Sequence, residues 1–128
     1  MFQNDYIMRQ VHDMTKAFAK LVLHLDVNVK SEHLVQIEDA QVQETTGKLL
    51  QMIDSGNINE AENELYKMLE QRTMDNFHAG IAFYAHLEEK EDAFLDASDF
   101  SREEIQDGKS HLLTIYGLAG MEDTFFGE

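Results

Sequence analysis

The chain has 128 residues, about one domain's worth, with 25 acidic and 10 basic side chains and a formal net charge of −15. It contains no Cys, Pro or Trp, which excludes a disulfide scaffold, a thiol nucleophile and a cysteine zinc site. So acidic a composition argues against direct binding to nucleic acid, whose phosphates need a basic surface.

The first predicted element runs from Asn4 to about Leu25. Ile7, Val11, Met14, Phe18, Leu21 and Leu25 recur at spacings of 4, 3, 4, 3 and 4, the a/d stripe of a heptad helix. Met8, Ala17 and Val22 widen the stripe, and Asn4 or Asp5 can cap its start. The apolar run Leu21-Val22-Leu23 is ended by His24 and Asp26, far short of the ~20 residues of a membrane span. Met1 to Asp5 lacks the basic-then-apolar pattern of a secretory signal. A cytoplasmic location away from membranes is therefore the expectation.

Asp26 to Lys30 breaks the period, and Ser31 can cap a second helix reaching Ile53 or Asp54. Val35, Val42, Thr46, Leu49 and Ile53 share a face. Gln41 to Gly47 is a poor helix former, which argues for a late start near Gln43. Ser55-Gly56-Asn57 is a stop and turn. A third helix follows from Ile58 to about Gln71, with Ile58, Ala61, Leu65, Met68 and Leu69 on one side. Thr73 caps a fourth, to about Lys90, whose apolar side holds Phe77, Ile81, Tyr84 and Leu87. Glu91 to Ser98 reads as a short helical turn supplying Phe94 and Leu95. The last helix has the strongest start signal: Ser101-Arg102-Glu103-Glu104 is a capping box, with Phe100 and Ile105 at the staple positions. Ile105, Leu112, Ile115 and Tyr116 form its stripe and Gly117 ends it. Residues 118–128 are a tail whose Phe125 and Phe126 are expected to tuck onto the domain. No segment alternates as a strand does. The expected fold is all-α: one domain over 1–128, with about five helices in antiparallel hairpins and a long N-terminal amphipathic helix.

Charge is unevenly distributed. Residues 1–30 carry four basic and three acidic side chains, whereas residues 31–128 carry six and 22. The first helix is thus nearly neutral and apolar beside an acidic body. Such a helix either packs on its own body or zips to a second copy, and both hold if the stripe has an inner and an outer side. A homo-oligomer depending on residues 1–25 is expected, with Ile7, Val11, Met14, Phe18, Leu21 and Leu25 as its contact residues.

Candidate chemistry is sparse. Asp75, His78, His86 and Glu89 fall within about 80° of one another on the fourth helix, with i, i+3 pairs at Asp75–His78 and His86–Glu89. They are the candidate metal ligands. Yet Asp75 and His86 stand about 16 Å apart along the axis, too far for one ion, and the stripe lies opposite the apolar side. It reads as a solvated face, and neither a metal nor a cofactor is expected. The acidic pairs Glu60/Glu64, Glu88/Glu89 and Glu103/Glu104 carry no signal for paired-carboxylate catalysis, and Glu60, Glu62 and Glu64 read as a solvated helix surface with first-turn charges. No phosphate-binding loop, dinucleotide fingerprint, zinc-protease motif or nucleophile elbow is present. Asp26-Val27-Asn28 begins like a calcium loop, but Lys30 and Ser31 stand where an acid and a Gly belong.

Four stretches together carry a family resemblance: Asp5-Tyr6-Ile7-Met8-Arg9, Ile58-Asn59-Glu60-Ala61-Glu62-Asn63, Phe83-Tyr84 and Asp99-Phe100-Ser101-Arg102-Glu103-Glu104-Ile105. The arrangement resembles a family of short bacterial proteins, mainly Gram-positive, known only as a domain of unknown function. The resemblance covers nearly the whole chain and implies an all-helical cytoplasmic protein without assigned activity, cofactor or site. One hairpin, with Gly56, Glu60-Ala61, Leu65 and Met68, is similar to half of a tetratricopeptide unit. The 34-residue repetition of such arrays is missing.

Three functions are consistent with these features. The foremost is a non-enzymatic helical interaction or scaffold protein that self-associates and meets an unidentified protein partner. The second is an acidic regulatory mimic of nucleic acid that occupies a basic protein groove. The third is a small-molecule binder or enzyme using the bundle interior, with Tyr84, His86, His111 and Tyr116 as its polar lining. The missing motifs weigh against catalysis.

Overall fold

A computed structural model describes residues 37–126, which form six helices and no strand. They are α1 (Ala40–Asp54), α2 (Ile58–Met68), α3 (Met74–Glu88), α4 (Asp92–Ala97), α5 (Arg102–Ile115) and α6 (Glu122–Phe126). The all-α reading holds for these residues. The predicted helix from Asn4 to Leu25, its six contact residues and the Ser31 cap lie outside them.

Local signals explain most boundaries. Ser101 and Glu104 form the expected reciprocal box: the Ser101 Oγ accepts from the Glu104 N–H at 3.1 Å, and the Ser101 N–H donates to the Glu104 carboxylate at 2.8 Å. Thr73 caps α3 by accepting from the Asn76 N–H. Gly56 and Gly117 adopt positive φ, at +88° and +75°, where the chain turns out of α1 and α5.

The late start near Gln43 is corrected: α1 begins at Ala40. Asp39 stands at its N-cap and one carboxylate oxygen accepts from the N–H groups of both Gln41 and Val42. This double cap offsets the weak propensity of the Thr45-Thr46-Gly47 stretch.

Long-range bonds give the topology. Asp75, in the first turn of α3, accepts from the N–H groups of Glu38 and Asp39 just before α1. At the other ends, Asp54 of α1 meets His86 and Lys90. Helices α1 and α3 therefore run parallel. Helix α2 runs antiparallel to α3, since Asn76 near the start of α3 donates to Met68 O at the end of α2. Helix α5 is also antiparallel to α3: Leu112 lies against Gly80, Gly108 against Tyr84 and Lys109 against Glu88.

Helix α3 is the axis of this arrangement. Every residue from Asn76 to Ala85 is buried, His78 included at 3% exposure. A helix buried on all sides belongs at the centre of a bundle. The expectation of a solvated face along Asp75, His78, His86 and Glu89 is thereby corrected at His78. Of the four, only Glu89 is fully exposed, while Asp75 and His86 are half-buried in bonds to α1.

The tail closes on the body as expected. Phe125 is 4% exposed and meets Phe77 edge to face at 5.1 Å. Phe126 lies under the Lys109 ammonium at 4.9 Å. None of the described helices is long and apolar enough to cross a membrane.

Candidate functional site

The densest polar cluster lies where α2, α3 and α5 converge. Glu62 and Tyr66 stand one turn apart on α2 and point toward Tyr84 of α3. The Tyr84 hydroxyl donates to a Glu62 oxygen at 2.7 Å and lies 3.2 Å from the Tyr66 hydroxyl. His111 of α5 sets its ring edge-on to Tyr66, 5.4 Å between centroids. Tyr84 itself has 0% exposure. It fits because α5 carries Gly108 opposite: a Cβ there would lie 2.3 Å from the phenol ring.

The electrostatics follow from burial. Desolvation raises the Glu62 carboxyl above its ordinary 4.5, against the Tyr84 hydrogen bond, and the nearby charge of Glu104 raises it further. Desolvation also raises the Tyr66 phenol and, far more strongly, that of the more deeply buried Tyr84; the negative charge of Glu62 raises both further. The phenols therefore stay protonated and act as donors. The cluster is a hydrogen-bonded chain of phenols ending on a half-buried carboxylate, which ties α2 to α3, with the His111 ring of α5 packed edge-on against Tyr66.

Two further clusters make similar ties. Glu88 of α3 receives Lys109, buried at 6% exposure, together with Gln106 and Arg102 of α5. Burial opposes ionisation of Glu88, but the Lys109 hydrogen bond and the two cationic charges outweigh it and hold the carboxyl below its ordinary value. Asp54 is also held low: burial raises it, but bonds from Lys90 at 2.5 Å and His86 at 2.8 Å outweigh that cost.

The proposed metal ligands are not brought together. Asp75 holds the entrance to α1, His86 pairs with Asp54, and Glu89 faces solvent. Burial pushes the His78 ring down to about 4, against the pull of Asp75. Among the described residues no three potential ligands are placed to share an ion. Of the interior set, Tyr84 and His111 converge through Tyr66. His86 lies elsewhere, and Tyr116 donates to Thr73 O at 2.8 Å. Sequence reasoning missed Tyr66, and its reading of Glu62 as solvated surface is corrected: the carboxylate is half-buried and accepts from Tyr84. The i, i+4 spacing of Glu62 and Tyr66 on a helix was the available signal, but their partner Tyr84 lies 22 and 18 residues further along.

Two open depressions flank these clusters. One, of about 420 Å³, has Phe100 among Asn59, Asp96, Asp99, Ser101 and Glu104. The other, of about 670 Å³, follows the α1–α2 hairpin over Leu49 and Met52, with Lys48, Lys67, Glu60 and Glu64 at its sides.

Fold and site together define an all-helical domain whose central helix is locked by polar ties. The chain belongs to the family of unknown function DUF6483, whose model matches residues 1–117. No curated protein and no solved structure matches it.

Proposed function

We propose that the protein is a non-enzymatic helical interaction protein that assembles with further copies of itself through residues 1–25. The observation that carries this reading is how the described ionisable clusters are used. Glu62, Glu88 and Asp54 each accept bonds from neighbouring helices, and those bonds make the body rigid. A rigid acidic body beside a nearly neutral segment with a heptad stripe suits a platform that works by contact. The acidic body also repels its like, so the nearly neutral segment is where copies meet with least electrostatic cost.

Native mass spectrometry of the full chain tests the reading, with a chain beginning at Asp26 beside it. The full chain is expected as a dimer or larger species and the shortened chain as a monomer. Equal assembly size in the two samples, or a monomeric full chain, would overturn the proposal.

A further inference from the structure

We infer that α6 is a displaceable strap lying, within its own chain, on a docking seat between α3 and α5. The seat takes a helical segment of another protein in which an acidic residue is followed, three and four positions later, by two aromatic ones. The strap itself supplies that pattern: Glu122, Phe125 and Phe126 stand at i, i+3 and i+4, on one side of a helix. Each makes its own contact with the body. The Phe125 ring is 4% exposed and meets Phe77 of α3 edge to face. Phe126, half-covered, lies 4.9 Å from the Lys109 ammonium of α5. The Ser110 hydroxyl donates to the Glu122 carboxylate at 2.9 Å. An aromatic pair, a cation over a ring and one polar anchor together hold a short helix by its side chains, as a helix-binding groove does.

Three observations separate the seat from the strap. The first is that the seat is held by bonds of its own. The Tyr116 ring packs on Phe77 at 4.8 Å between centroids, and its hydroxyl donates to Thr73 O at 2.8 Å. Lys109 is fixed by Glu88. These contacts join α5 to α3 directly, so the aromatic floor and the cation keep their places when the strap lifts, and a preorganised site binds with less ordering cost. The second is that the strap has little hold on itself. Its five residues fall far below the ~12–15 at which an isolated helix is even marginal. Its backbone bonds are local: Met121 N–H donates to Leu118 O, and the N–H groups of Thr124 and Phe125 donate to Met121 O. The chain leaves α5 through Gly117 and enters the strap through Gly120, both at positive φ, so glycines stand at both ends of the connecting turn. The third is the extent of the family match. Phe77, Lys109, Ser110 and Tyr116 lie within the matched residues 1–117, and the strap lies beyond them. Tethered by so short a turn, the strap competes at an effective concentration in the millimolar range and acts as a built-in inhibitor of the seat. None of this rests on assembly through residues 1–25.

The probe is a fluorescein-labelled synthetic peptide of residues 118–126. The protein is the full chain, both unaltered and carrying Phe125→Ser with Phe126→Ser. Fluorescence anisotropy is expected to show the peptide binding the double variant about tenfold or more tightly than the unaltered chain, whose strap competes. A peptide with the same two replacements should bind neither chain. Circular dichroism reports whether the double variant is folded. Hydrogen exchange in the unaltered chain gives a second measure that needs no variant. The Thr124 and Phe125 amides should exchange by local opening, about tenfold or more faster than amides at the centre of α3, at a rate that low urea leaves unchanged. Absence of peptide binding by a folded double variant, equal binding by the two chains, or exchange of these two amides only through global unfolding would each overturn the proposal.

Discussion

At the scale of single residues, His78 is where burial and protonation meet. Folded, its ring takes a proton only near pH 4, because burial disfavours the charged form; unfolded, it does so near its ordinary 6.5. Between these values the unfolded chain binds the extra proton. Acid therefore favours unfolding, and the stability contributed by His78 is lost as pH falls from 6.5 toward 4. Glu62 acts in the opposite sense, since its raised carboxyl binds its proton more readily when folded. Glu88 and Asp54, both held low, withdraw stability only as pH falls below their ordinary 4.5 and 3.8. The window from pH 7 to 5.5 thus isolates the histidine best. Urea midpoints are expected to show a loss of about 1 kcal/mol across it, absent in His78→Gln. An equal loss in that variant would mean another group governs the acid response. None of this was legible in the sequence. A histidine three residues after Asp75 looks like a surface residue until the neighbours of α3 are known. Asn76 misleads in the same way: it is buried, and its amide donates to Met68 O at the end of α2 and to Gln71 O just beyond it.

At the scale of elements, legibility follows the range of the interaction. The box at Ser101, the cap at Thr73 and the stop at Gly56 act within four residues and were readable in advance. The cap at Asp39 is just as local, yet the poor propensity after it hid the true start of α1. What could not be read is how closely two helices approach, since that depends on residues far apart in sequence. Gly108 and Tyr84 make the point. A helical Gly normally costs up to about 1 kcal/mol relative to Ala, so Gly47→Ala, with none of the described residues within 4 Å of the added Cβ, should stabilise the protein by up to that amount. At Gly108 the same substitution drives a Cβ to 2.3 Å from a buried ring whose hydroxyl is held by Glu62 and Tyr66. The helix propensity gain is then overtaken by overpacking, and a net loss of about 1–3 kcal/mol is expected. Denaturant unfolding of the two variants should move the midpoint in opposite directions. A shift of the same sign in both would show that α5 can slide off Tyr84 without loss, and that the phenol chain is not what fixes the distance between these helices.

At the scale of the molecule, the question is which electrostatic force prevails: the ties between particular groups, or repulsion among all the acids. The ties are local and partly shielded from water. Lys109 is nearly buried, and the Lys90 and His86 contacts to Asp54 are half-covered. Salt screens such pairs weakly, but it screens exposed charges beyond about 8–10 Å effectively. Residues 31–128 carry 22 acids against six basic side chains, and Lys90, Arg102 and Lys109 are already engaged in the ties, so most exposed carboxylates see neighbours of their own sign. Self-repulsion of that kind opposes the compact state. Exposed pairs such as Lys48–Glu44 and Lys67–Glu64 offset little of it, since a surface pair contributes about 0–1 kcal/mol. Added salt should therefore stabilise this protein, with the melting temperature rising as NaCl increases from about 10 mM to 150 mM, the range over which the Debye length contracts from about 30 Å to 8 Å. The same rise is expected at pH 7 and pH 8, where the carboxylates stay ionised, and should shrink near pH 4.5 as the exposed acids take up protons and the repulsion fades. A melting temperature that falls with salt at pH 7 would reverse the ranking. The ties at Glu88 and Asp54 would then outweigh the repulsion of the whole acidic surface, and the body's rigidity would depend on a handful of ion pairs.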